Sequence, residues 1–123
     1  MRPLFLALVL LVSSAVHVLA NDEQDCFQGK VPQLRIKGCS EIIQRAPNDA
    51  TAYHNRAFVY ELSGDIDRAI ADYTKTIAIR PDNAAAYENR GRAYASKGDY
   101  THGISEMKRS QASRSPSSGR CGG

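Results

Sequence analysis

The stretch from Pro47 to Arg80 begins again at Pro81, and this period of 34 residues constrains the fold more than any other feature. At that offset Pro47 falls on Pro81, Ala50 on Ala84, Ala52 on Ala86 and Tyr53 on Tyr87. Asn55-Arg56 falls on Asn89-Arg90, Tyr60 on Tyr94, Gly64-Asp65 on Gly98-Asp99 and Ile70 on Ile104. Self-similarity at such a period means a supersecondary unit that cannot bury its apolar face alone. It stacks on its neighbours to make a continuous core.

Each unit explains itself as a helix, a turn and a second helix. Tyr53, Ala57 and Tyr60 stand at i, i+4 and i+7, so they share one helical face. Ser63-Gly64-Asp65 then breaks the pattern: Gly accepts the left-handed conformation that ends a helix, and Asp caps the next one. Ile66, Ala69, Ile70, Tyr73 and Ile77 return at helical spacing and give a second apolar stripe. Pro81 stops that helix, because it has no N–H and clashes with the preceding turn. Small Ala57, Ala69 and Gly91 stand beside large Tyr53, Tyr60, Tyr73, Tyr87 and Tyr94, which lets antiparallel helices approach closely.

These residues resemble the tetratricopeptide repeat family, whose units open with an aromatic residue, then place a small residue and a second aromatic. Ala, an aromatic and a closing Pro follow in the second helix. Residues 47–80 supply Tyr53, Ala57, Tyr60, Ala69, Tyr73 and Pro81 in that order. Residues 81–112 supply Tyr87, Gly91 and Tyr94, then weaken, with Gly103 for Ala and Met107 for the aromatic. Both units carry Arg56 and Arg90 where the family has Leu. The resemblance implies an all-α helix-turn-helix solenoid of two units, preceded by a half repeat at 31–46. Here Ile36, Cys39 and Ile43 fall beneath Ile70, Tyr73 and Ile77. It also implies a function, since first helices in this family line a concave groove that binds peptides. By matching positions the groove would present His54, Asn55, Phe58 and Glu61 from one unit and Glu88, Asn89 and Arg92 from the next. Asn both donates and accepts, which suits an extended peptide backbone. The family's carboxylate-gripping version needs several cations on that face, and only Arg92 qualifies.

Upstream, residues 1–20 hold Arg2, an apolar run from Leu4 to Val12, and Val18-x-Ala20 where signal peptidase would cut. The stretch is expected to be a removed secretory signal, being too interrupted for the roughly 20 apolar residues of a membrane span. The chain is then periplasmic or secreted and holds no membrane contact. Export places Cys26 and Cys39 where disulfides persist. Two arrangements fit. A Cys26–Cys39 bridge would staple an irregular segment, residues 21–30, onto the half-repeat helix. Alternatively both thiols are free and Cys39 is a small core residue. The bridge is expected. Residues 113–123 are Ser-, Gly- and Arg-rich and expected to be disordered, leaving Cys121 as an odd thiol. The final helix, Tyr100 to Ala112, has only Tyr100, Ile104 and Met107 for a core stripe, and no polar-faced capping helix follows it.

Chemistry is sparse. Arg56 has Asp72 sixteen residues on, and Arg90 has Glu106 at the same interval, so each pair can meet across its hairpin. Asp72 could instead reach Arg90 of the next unit. No nucleophile–base pair, phosphate loop or metal-ligand spacing appears, so no catalysis, cofactor or metal is expected. Lys and Arg number 16 against 13 Asp and Glu, and loss of Arg2 with the leader brings them closer still. Such balance gives no footprint for nucleic acid or anionic membrane. The expected function is a non-catalytic scaffold that binds a protein or peptide on its concave face. Two alternatives are self-assembly or partner capping through the bare C-terminal helix, as in a fragment of a longer array, and an accessory subunit of an envelope enzyme.

Overall fold

The computed structural model describes residues 21–115, and every regular element among them is a helix. Residues 21–28 form α1, followed by α2 (Pro32–Arg45), α3 (Ala50–Leu62), α4 (Ile66–Ile79), α5 (Ala84–Ser96) and α6 (Tyr100–Arg114). The caps follow from local chemistry. The Asp49, Asp65, Asn83 and Asp99 side chains accept from the backbone N–H of Ala52, Arg68, Ala86 and His102, at 3.0, 3.3, 3.1 and 3.2 Å. Between α3 and α4, and again between α5 and α6, the chain turns on Gly64 and Gly98 at φ +80° and +84°, as the repeat pattern requires.

Helices pack in chain order, α3 on α4 and α5 on α6 as hairpins, with α2 on α3 and α4 on α5 joining one unit to the next. In addition α3 touches α5, whereas α4 and α6 do not meet. The array therefore curves with α3 and α5 on its inner side. Ala57, Tyr60, Ala69 and Tyr73 form the core of the first unit, with Ile36 of α2 packed against them. Where α5 crosses α6 the two small residues are Gly91 and Gly103. A Cβ on either would lie 3.0 Å from the other's carbonyl oxygen, so Gly103 marks a close helix crossing and not a decayed position.

Three expectations are corrected. Residues 21–30 are not irregular, because α1 packs on α2 as the first helix of a hairpin. Its Cys26 is bridged to Cys39 with Cα atoms 4.6 Å apart, and Asp22 accepts from Arg45 at 2.7 Å. In the 34-residue register Cys26 and Cys39 occupy the places of Tyr60 and Tyr73. A covalent link thus stands where the next unit packs two rings. Gly38 takes the place of Asp72, and its missing side chain lets the α1 backbone lie against it.

Tyr100, Ile104 and Met107 are not core residues either, being 67%, 59% and 38% exposed. The buried side of α6 is Gly103, Glu106 and Ser110. The reason is stacking: the equivalent stripe of α4, Ile66, Ile70 and Tyr73, has α5 to lie against, and α6 has no such helix among the described residues. Finally, Ser113 and Arg114, placed in the tail, complete α6. The leader at 1–20, the tail from 116 and Cys121 lie outside the described residues.

Candidate ligand-binding face

The inner side of the array is built by α3 and α5, whose side chains meet because the helices touch directly. His54 and Glu61 lie on α3, Asn89 and Arg92 on α5, and Tyr73 reaches in from α4. Asn89 Nδ2 stands 3.0 Å from His54 Nε2, and Asn89 Oδ1 accepts from an Arg92 terminal nitrogen at 2.9 Å. Arg92 Nε donates to Glu61 Oε1 at 2.8 Å, and the Tyr73 hydroxyl donates to Glu61 Oε2 at 2.8 Å. The five side chains form one network joining consecutive repeats.

Its electrostatics follow from burial. Desolvation lowers the His54 pKa below the ordinary imidazole value, opposed in part by the nearby Glu61 carboxylate. Desolvation, helped by the hydrogen bond to Glu61, holds the Tyr73 phenol far above its usual range. The bond to Glu61 raises the Arg92 guanidinium further. With Nε2 neutral and accepting from Asn89, His54 carries its proton on Nδ1. The His54 and Tyr73 rings are also neighbours, with centroids 5.5 Å apart.

The inferred groove residues thus divide. His54, Glu61, Asn89 and Arg92 come together, but as ties between repeats as much as free ligand contacts. Asn55 is half-buried and makes no side-chain hydrogen bond among the described residues. Phe58 is exposed, as is Leu62 at the end of α3. Glu88 pairs with Arg114 of α6. Arg92 stays half-exposed despite its two partners. Sequence reasoning placed Tyr73 in the core, where the whole side chain is fully buried, but did not foresee that its hydroxyl joins this network through Glu61.

Arg56 and Arg90 behave as their spacing suggested. Arg56 holds Asp72 through two bonds of 2.7 and 2.9 Å, and Arg90 holds one Glu106 oxygen at 2.8 and 3.2 Å. Asp72 does not cross to Arg90. Each Arg also reaches back to the preceding unit, Arg56 to Ser40 Oγ at 2.9 Å and Arg90 to Thr74 Oγ1 at 3.0 Å. The Arg56 guanidinium lies over the rings of Tyr53 and Tyr60, and Arg90 over Tyr87. No group of side chains among the described residues has the arrangement of a metal site.

Comparison with known proteins agrees with this fold. A model described as TPR repeat matches residues 62–98, and two described as tetratricopeptide repeat match residues 39–71 and 84–114. No curated protein matches. Among solved structures, MamA is 31% identical, covering 72% of this chain and 52% of its own, with a TM-score of 0.69. This chain therefore spans about half the length of that relative. The TPR2B domain of yeast Sti1, in a complex with pHsp70, is 25% identical over 79% of this chain and 78% of its own, TM-score 0.70. The Arabidopsis OM64 TPR domain is 25% identical over 82% and 84%, TM-score 0.71.

Proposed function

Because the chain belongs to the tetratricopeptide repeat family, we propose that it is a non-catalytic exported scaffold holding an extended protein or peptide segment on the inner side of α3 and α5. The observation that carries this reading is Arg92. Glu61 and Asn89 fix its guanidinium in place while leaving it half-exposed beside the α3 surface that presents Phe58. A pre-set cation next to an exposed ring offers a ligand one acceptor site and one apolar contact at low ordering cost. The Sti1 domain in its pHsp70 complex is a relative that holds a ligand in the same fold. The Cys26–Cys39 bridge supports an oxidising compartment, and with it removal of residues 1–20 by cleavage after Ala20.

The test is a peptide array probed with the purified chain. Retained peptides should lose about tenfold or more in affinity for Phe58→Ala and for Arg92→Ala, while thermal unfolding moves little. Undiminished binding by both variants would place the ligand elsewhere. Export is checked by intact mass: protein recovered from the envelope or medium should begin at Asn21, and a species keeping Met1 to Ala20 would sink that part.

A further inference from the structure

The exposed outer face of α6 has a register that says what it can accept. At the two internal junctions a hydroxyl of the preceding second helix meets an Arg of the next first helix, Ser40 with Arg56 and Thr74 with Arg90. Moved on by one period, the hydroxyl position is Lys108. Lys108 borders an apolar groove of about 410 Å³ lined by Gly91, Ala95, Tyr100, Ile104 and Met107. This groove is the counterpart of the α4 surface that α5 covers, with Tyr100 and Ile104 more than half exposed. A first helix built like α3 or α5 would bring an Arg against Lys108, cation on cation.

We propose that this face docks an amphipathic helix of a partner protein, carrying a carboxylate where Arg56 and Arg90 carry a guanidinium. The apolar groove supplies the contact area and Lys108 the choice of partner. Among residues 1–123 no segment meets the requirement. α3 and α5 carry Arg in the decisive slot. In α1 that slot holds Asp22, but it is only 8% exposed and already bound to Arg45. Residues 1–20 contain no acidic side chain, and residues 116–123 contain no large apolar one. The proposal is independent of the ligand on the inner face.

A helix-stapled peptide with the sequence of residues 83–96 is the probe, made unchanged and with Arg90→Glu, and titrated onto the full chain by fluorescence anisotropy. The Glu peptide should bind about tenfold tighter than the Arg peptide. Lys108→Glu in the protein should reverse that order, and Ile104→Glu should abolish binding of both. Because both side chains are exposed, circular dichroism of these variants should match the parent. Failure of the Glu peptide to bind would overturn the proposal, as would equal binding of the two peptides or indifference to Lys108→Glu. Light scattering over a range of concentrations should show a monomer. Assembly that Ile104→Glu abolishes would mean a second copy fills the groove, and the partner assignment would be wrong.

Discussion

Tyr73 shows how much one residue can carry in so small an array. Its ring is fully buried between the paired helices, while its hydroxyl reaches the inner face to hold Glu61 at 2.8 Å. Tyr73→Ala should therefore cost roughly 3–5 kcal/mol, as loss of a buried aromatic does. Tyr73→Phe should cost only about 1 kcal/mol, the worth of one hydrogen bond. Chemical denaturation separates the two, and equal losses would mean that the hydroxyl and not the ring dominates. His54 gives the network a pH dependence. Its folded pKa lies below the unfolded value of 6.5, so between the two the unfolded chain binds more protons. Stability is then full above about pH 6.5 and falls as pH drops toward the lowered folded value. Protonation also turns Nε2 into a donor facing the Asn89 amide nitrogen, whose oxygen is already engaged by Arg92. Melting temperatures measured from pH 7.5 to 5 should fall more steeply for the parent than for His54→Gln. Parallel curves would remove His54 from the account.

At the scale of elements, the three hairpins solve one packing problem in three ways. The middle hairpin crosses on Ala57 and Ala69 with two Tyr rings beside them. The last one crosses on Gly91 and Gly103, where a Cβ on either would lie 3.0 Å from the other's carbonyl oxygen. The first draws α1 onto Gly38 and locks it through Cys26 and Cys39. An added Cβ at Gly38 would sit 2.6 Å from the Asp22 carbonyl oxygen and 2.9 Å from the Cys26 nitrogen, both backbone atoms that the bridge keeps from moving away. Gly38→Ala should thus destabilise by about 1–3 kcal/mol, overriding the roughly 1 kcal/mol that Ala gains inside a helix. Urea unfolding checks this. A stabilised variant would show that α1 is held by its disulfide alone.

Across the whole molecule, Arg56 and Arg90 are the ties that make separate hairpins into one array. Arg56 on α3 bonds to both α2 and α4, and Arg90 on α5 to both α4 and α6. Replacing Arg90 with the family's Leu leaves the buried Glu106 with only the largely exposed Arg109, 3.8 Å away, which should cost up to about 3–5 kcal/mol. The double change Arg90→Leu with Glu106→Leu should recover most of that loss, since an apolar pair of similar volume needs no desolvation of charge. A double variant no more stable than Arg90→Leu alone would show that the tie works through Thr74 or the Tyr87 ring instead.

The sequence left the pairing of Cys26 with Cys39 and of Asp72 with Arg56 each beside an alternative that the structure decided. By itself it determined the period, the helix-turn-helix unit, both Gly-Asp turns and the Tyr60 and Tyr73 core. All of these follow from spacing along one helix or across one hairpin, where the backbone geometry converts residue number directly into position. Only the tertiary structure decided the rest, because it depends on how units stack. That Tyr100, Ile104 and Met107 face outward could not be read from a stripe that is apolar whether or not a next helix covers it. That Asn89 binds His54 across 35 residues depends on α3 approaching α5 at the inner side of a curve, which no single-helix period encodes. Residues 21–28 were missed as a helix because the aromatic landmarks are absent, and a disulfide with a bare Gly38 opposite does the same packing without them.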